Sequence, residues 1–134
     1  MTEQFDQGAA VETNRMQHLL PGWTDPVDPG MLVKIRRQIH RNPEPGWCEF
    51  ETTALMARIF SEAGFELKFG PEFIAPEFIR GRDVQEAARA KSRAAAEGAD
   101  AQFLERTGDC PGLAATYDTG RPGRTLAIRV ELDA

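Results

Sequence analysis

The segment 125–132 constrains the fold of this 134-residue chain most, because its residues alternate between apolar and other side chains. An extended strand has a side-chain period of two, so the apolar residues share one face. They are Leu126, Ile128, Val130 and Leu132. Residues 113–117 are the nearest second candidate strand, and 118–124 are dense in turn formers. The sequence therefore predicts a β-hairpin.

Two helices and a strand are predicted before this hairpin. The first helix begins at Asp28, a suitable N-cap followed by Pro29, and must end before Pro43. Its apolar residues recur at helical spacing, at Met31, Leu32, Ile35 and Ile39. A second helix is predicted over 49–63, followed by a strand over 65–69 with one apolar face.

A helical insert is predicted near residues 70–108. Asp83 and Glu86 have the spacing of a capping box, and an alanine-rich stretch follows them. Because this stretch has little apolar area, we expect a surface excursion. Residues 1–27 show no clean period and predict a loose N-terminal arm. The fold class expected for 28–134 is α/β, and the ending on a strand suggests a piece of a larger domain.

Charge and composition exclude several classes of protein. The chain has 16 Lys and Arg against 21 Asp and Glu, a net charge of −5, whereas nucleic-acid binders are normally basic. No stretch approaches the roughly 18 apolar residues of a membrane span, and the start of the chain does not suit a secretory signal. Cys48 and Cys110 are too few for a disulfide framework. We expect a cytoplasmic protein that binds neither membrane nor nucleic acid.

Several polar residues could carry chemistry, but a structural role is favoured for each. His40 could bind a metal, although a zinc site needs three or four ligands. Glu44 and Glu49 could act as paired carboxylates, although Glu49 suits the first turn of a helix. Cys48 could be a nucleophile, although no catalytic histidine is evident. The glycine-containing turn at 120–124 could hold a phosphate, although a hairpin turn is favoured. The cations Arg36, Arg37 and Arg41 could bind an anionic partner, although a solvated helix face is favoured.

Four strings of residues, taken in order, resemble a known family. They are IRRQIHRNPE at 35–44, GWCEF at 46–50 with Thr52, DTGRPG at 118–123, and RVELDA at 129–134. The combination resembles the opening of the aminoacylase-like metal-dependent amidohydrolases, a metallopeptidase-like family. Among its members, those that hydrolyse p-aminobenzoyl-glutamate match this pattern best.

The resemblance implies the N-terminal part of an α/β catalytic domain that holds two divalent metals, zinc or manganese, in the intact enzyme. The family's metal ligands follow the motif at which this sequence ends. No residue of this chain is therefore assigned as a metal ligand, and the chain alone is expected to bind no catalytic metal. The resemblance implies that Asp133 supports the metal centre. Glu131, where many relatives have aspartate, would lie on the same side of the strand.

The resemblance also implies a substrate and partners. The substrate would be an N-acyl amino acid amide such as p-aminobenzoyl-glutamate, and a second subunit or a homodimer is expected. We expect this fragment to be inactive by itself. The alternative is a non-catalytic short chain that complements a partner polypeptide, or a decayed remnant without activity.

Overall fold

The computed structural model describes residues 28–132, so the predicted arm over 1–27 lies outside the described residues. The chain divides into two compact units between Arg41 and Asn42. The first unit contains the helix α1, Pro29–Arg41. The carboxylate of Asp28 accepts a hydrogen bond from the backbone N–H of Gly30 at 2.9 Å, which confirms the predicted start of this helix. No helix within 28–132 is both long and apolar enough to cross a membrane.

The second unit combines helices with a small sheet. Its elements are α2 (Phe50–Glu62), β1 (Glu66–Phe69), α3 (Gly70–Phe73), a 3-10 turn (Pro76–Phe78), α4 (Val84–Ala96), α5 (Ala101–Arg106) and β2 (Leu113–Thr116). The predicted second helix and the strand after it are thus both present, with ends shifted by one residue.

Helix α2 carries the face around which this unit packs. Phe50 and Ala54, near its start, belong to a core cluster that also receives residues from α4 and α5. Ala57, one turn further on, belongs to a second cluster with Leu67 and Phe69 of β1. Burying an apolar side chain contributes about 1.5–3 kcal/mol for each large one, so Phe50, Leu67 and Phe69 are the main apolar contributors around this face.

Helix α4 packs against α2, so the expectation of a surface excursion was wrong. The buried residues Ala87, Ala90 and Ala94 lie on one side of α4. Their side chains are small, which lets the two helices approach closely with little apolar area. The carboxylate of Asp83 caps α4 by accepting hydrogen bonds from the backbone N–H groups of Gln85 and Glu86, as the sequence predicted.

The predicted hairpin is absent from the described structure. Strand β2 pairs antiparallel with β1, with Glu66 opposite Thr116 and Phe69 opposite Leu113. The segment 125–132 forms no strand, and Leu126, Ile128 and Val130 are 77%, 76% and 67% exposed. Pairing with β1 lets β2 pack over the α2 core. If β2 paired with 125–132 instead, Leu126, Ile128 and Val130 would form an apolar face that no element of 28–132 covers.

Gly70 lies against the backbone of the segment that leads into β2. Its N–H donates to the carbonyl of Gly112 at 3.0 Å, and a Cβ at this position would lie 2.3 Å from the carbonyl oxygen of Cys110. Real Cβ atoms essentially never come so close, so only glycine fits without a shift of the backbone.

Replacing Gly70 with alanine should therefore destabilise the chain. We expect Gly70→Ala to lower the free energy of unfolding by about 1–3 kcal/mol, because overpacking forces the backbone to move. Gly46→Ala is the matched control, since a Cβ there meets nothing within 4 Å. Urea unfolding followed by circular dichroism measures both. Equal stability of the two variants would contradict the close approach.

Glu44 caps α2 from outside the helix. Its two carboxylate oxygens accept hydrogen bonds from the backbone N–H groups of Glu51 at 3.0 Å and Thr52 at 2.9 Å. The residue at the N-cap position, Glu49, makes no side-chain capping bond. The side chain of Glu44 is only 2% exposed, so water cannot easily replace it.

Replacing Glu44 with alanine should leave two donors without an acceptor. We expect Glu44→Ala to lower the free energy of unfolding by about 1–3 kcal/mol. Glu62→Ala removes a carboxylate from the exposed end of the same helix and should change it by less than about 0.5 kcal/mol. Both values come from urea unfolding at pH 7. Similar losses in the two variants would show that the cap contributes little.

Candidate functional site

The two residues predicted to lie at a reaction site are Glu131 and Asp133. Glu131 is exposed, and its carboxylate accepts a hydrogen bond from the guanidinium of Arg129. Asp133 lies outside the described residues. Among residues 28–132, the structure therefore places Glu131 beside one cation, Arg129. Throughout 28–132, no three His, Cys, Asp or Glu residues are grouped so that they could hold a metal ion.

The other candidates on α1 and in the late turn have simple environments. His40 is exposed in the last turn of α1, where a cation suits the negative end of the helix dipole. Arg36, Arg37 and Arg41 are exposed on the same helix. The turn at 118–124 is held by Asp118, whose carboxylate accepts from the N–H of Gly120 at 2.8 Å. These residues thus lie on the exposed surface, and the turn is held by its own hydrogen bond.

The structure places Glu44 and Glu49 on either side of the turn at 46–47, in different environments. Both oxygens of Glu44 are used in capping α2, and one also faces the guanidinium of Arg93 at 3.7 Å. Burial raises the pKa of the Glu49 carboxyl, and the charge of Glu44 adds to this, while backbone N–H groups oppose it. Glu44 is thus committed to structure, and Glu49 holds its proton more strongly than an ordinary glutamate.

Cys48 is buried in the core between α2 and α4. Burial raises the pKa of its thiol, and the negative charges of Glu86 and Glu49 raise it further, against a smaller effect of Arg93. A nucleophilic cysteine needs the opposite shift, because the thiolate is the reactive form. Burial likewise raises the pKa of the Cys110 thiol. Both cysteines are suited to packing.

Sequence reasoning missed the residues that α4 contributes to this region. Arg93 reaches Glu44, and Glu97, just after the helix, accepts from the side-chain amide of Asn42 at 3.2 Å. That same amide donates to Glu51, also at 3.2 Å. Arg93 and Glu97 lie about fifty residues from Glu44 and Asn42 along the chain, so no local spacing could reveal these contacts.

Trp47 was also missed. It is the one non-glycine residue of 28–132 with a positive φ, at 67°. Its indole N–H donates to the carbonyl of Arg80 at 2.8 Å, which fixes the turn before α2 to the segment before α4. A large residue in the left-handed region is uncommon and is held there by its surroundings. The string around it gave no sign of this conformation.

Comparisons with known proteins identify relatives, although no family model matches the chain. A Haemophilus influenzae protein, named as the homolog of a p-aminobenzoyl-glutamate hydrolase subunit, is 38% identical over 108 residues, which are 80% of this chain and 26% of that protein. An indole-3-acetyl-aspartic acid hydrolase from Enterobacter agglomerans is 39% identical over 105 residues, 77% of this chain and 24% of that protein.

A solved structure agrees with these relatives. The aminobenzoyl-glutamate utilization protein from Klebsiella pneumoniae superposes with a TM-score of 0.72 and 37% identity, over 78% of this chain and 27% of that one. The chain thus spans about a quarter of the length of the curated relatives it matches. The resemblance found in the sequence is confirmed: this chain is homologous to part of the p-aminobenzoyl-glutamate hydrolase proteins.

Proposed function

We propose that this chain is the N-terminal part of an amidohydrolase that cleaves an N-acyl amino acid amide such as p-aminobenzoyl-glutamate. The observation that carries the proposal is the 38% identity, over 80% of the chain, to the Haemophilus influenzae relative. The relative named for indole-3-acetyl-aspartic acid also takes an acyl group joined to an acidic amino acid, which supports this substrate class.

The proposal assigns two divalent metals, zinc or manganese, to the complete enzyme. Residues 28–132 do not by themselves contain a group of three ligands, so the described residues do not fit a metal site. The ligands would come from polypeptide beyond these residues. Asp133 would support that centre, and Glu131 would lie beside it on the same strand side, held by Arg129.

The proposal also covers partners and location. A relative carries the word subunit in its name, which supports assembly with a second polypeptide or a second copy. The two cysteines of the described structure are free and buried, which suits a reducing compartment such as the cytoplasm. We propose no nucleic-acid or membrane partner, in keeping with the net charge of −5.

A fusion protein tests the proposed substrate. This chain, fused to the part of the Haemophilus influenzae relative that it does not match, should hydrolyse p-aminobenzoyl-glutamate when supplied with zinc or manganese. The 134-residue chain alone should not. Release of glutamate from p-aminobenzoyl-glutamate, or of aspartate from indole-3-acetyl-aspartate, is measured by liquid chromatography and reports the activity. A folded fusion that binds metal but cleaves neither p-aminobenzoyl-glutamate nor indole-3-acetyl-aspartate would overturn the proposal.

Within that fusion, Asp133→Asn should lower kcat by about 10–100-fold, the usual effect of losing a group that supports a metal ligand. Bound metal, measured by mass spectrometry, should fall with it. Asp118→Asn makes the same chemical change in the exposed turn at 118–124 and should leave both values unchanged. If the two variants behave alike, Asp133 has no role at the site.

The exposed segment 125–132 favours a second candidate function, in which the chain complements a partner polypeptide. Leu126, Ile128 and Val130 are the most exposed large apolar residues of this segment, and in a strand they would share one face. An exposed apolar face of this kind needs to be covered, and further polypeptide would supply the cover. The relatives, about four times longer than the matched part, indicate how much polypeptide could be involved.

Complementation is tested by mixing the chain with a separate polypeptide carrying the rest of the relative. Ile128→Asp should leave the stability of the isolated chain unchanged, because the side chain is already 76% exposed, but should abolish the complex. Thr125→Asp, on the opposite side of the same segment, is the control and should still bind. Gel filtration measures the complex. A wild-type chain that stays monomeric beside the second polypeptide would exclude this function.

A further inference from the structure

Strand direction places the segment after β1 at the same end of the sheet as the proposed site residues. Strand β2 runs antiparallel to β1, so Phe69 at the end of β1 lies opposite Leu113 at the start of β2. The link from β2 to 125–132 consists only of 117–124. A parallel return would need a crossover of about a dozen residues or more, so 125–132 would enter the sheet antiparallel to β2. Its direction would then match that of β1, and Glu131 would lie at the end where β1 stops.

Phe73 lies over this end of the sheet. Helix α3, Gly70–Phe73, follows β1 directly and contacts both strands. The ring of Phe73 reaches the start of β2, because its Cζ lies 3.7 Å from the position that a Cβ on Gly112 would take. Phe73 is nevertheless 47% exposed. One part of the ring is therefore packed at the sheet end, and the rest is available for contact with another molecule.

Hydrogen bonds hold the short helix that carries Phe73. The carboxylate of Glu72 accepts a hydrogen bond from the backbone N–H of Phe69 at 2.6 Å and pairs with the guanidinium of Arg106 at 3.2 Å. The backbone N–H of Ile74 closes the turn with a hydrogen bond of 2.8 Å. Both neighbours of Phe73 are thus fixed, so a ligand that contacts its ring need not order this segment first.

The proposed substrates carry an aromatic acyl group, which suits a half-exposed phenylalanine ring. Aromatic rings attract each other in offset and edge-to-face arrangements, beyond the gain from buried area. Neighbouring strands lie about 4.8 Å apart, so only a few strand spacings separate Phe73 from the proposed position of Glu131 and Asp133. This separation is within the length of an acylated amino acid, so one substrate can reach both places.

Tyr117 provides a comparison within the same sheet. It is 57% exposed, and it directly follows Thr116, which lies opposite Glu66 at the start of β1. Its ring lies beside that of Phe65, with 5.1 Å between the ring centroids. Tyr117 is therefore an exposed aromatic residue at the opposite end of the sheet from Phe73 and the proposed site residues.

We propose that Phe73 contacts the acyl group of the substrate and contributes to specificity for aromatic acyl groups. This inference rests on the proposed function, because it takes 125–132 as a strand of the complete enzyme with the reaction site at its end. Phe73 takes no part in breaking the amide bond. Its replacement should therefore affect a substrate according to the acyl group that the substrate carries.

The fusion protein described above, supplied with zinc or manganese, tests this role. Its substrates are p-aminobenzoyl-glutamate and N-acetylglutamate, which share the amino acid but differ in the acyl group. Phe73→Ala should lower kcat/KM for p-aminobenzoyl-glutamate roughly tenfold, the loss expected for one aromatic contact, and leave N-acetylglutamate unaffected. Phe73→Leu keeps an apolar side chain beside Gly112 and should show the same selective loss, which covers a failure of Phe73→Ala to fold. Tyr117→Ala is the control and should change neither value.

Binding to the metal-free fusion, measured by isothermal titration calorimetry, gives the same comparison without turnover. If the fusion cleaves neither compound, but Phe73→Ala binds p-aminobenzoyl-glutamate tenfold more weakly than Tyr117→Ala does, the role of Phe73 stands and the proposed reaction falls. Equal kcat/KM and equal Kd for the Phe73 and Tyr117 variants in an active fusion would overturn only the role of Phe73. Equal losses for the aromatic and acetyl compounds would overturn it too, and a fusion that binds neither compound would overturn both proposals.

Discussion

The cap that Glu44 places on α2 is the interaction on which the second unit depends. The first N–H groups of a helix have no partner within it, and a buried helix start must find one elsewhere. Here a single buried carboxylate satisfies two of them. Phe50 and Ala54, which follow directly, begin the face on which α4, α5 and the sheet all pack. Fixing the start of α2 therefore fixes the origin of both core clusters.

Small residues then decide how closely the elements approach. Ala87, Ala90 and Ala94 bring α4 against α2 without a large side chain between them. Gly70 does the same for the segment around Cys110 at the edge of the sheet. Arg106 adds a polar tie, because it donates to the carbonyl of Leu67 and lies over the ring of Phe69. The compactness of this unit thus comes from close backbone contacts as much as from apolar area.

The sequence was informative where local chemistry decides structure. Asp28 and Asp83 act as the helix caps that their positions predicted, and α2 and β1 follow their periodicity. It was uninformative where distant segments meet. The pairing of β2 with β1 joins residues about fifty positions apart, and it competes with a hairpin that looks better locally. The bond from Trp47 to Arg80 and the approach of Arg93 to Glu44 are of the same kind.

The same distinction explains why Glu131 and Asp133 could be proposed as site residues only by resemblance. If 125–132 were extended into a strand, the residues proposed for the site and the apolar residues that need covering would lie on opposite faces. Arg129 and Glu131 already contact each other on one side, whereas Ile128 and Val130 on the other have no cover within 28–132. A strand is held in register only when its apolar face is packed. Covering that face would therefore also fix the position of Glu131, because both side chains are carried by the same short segment.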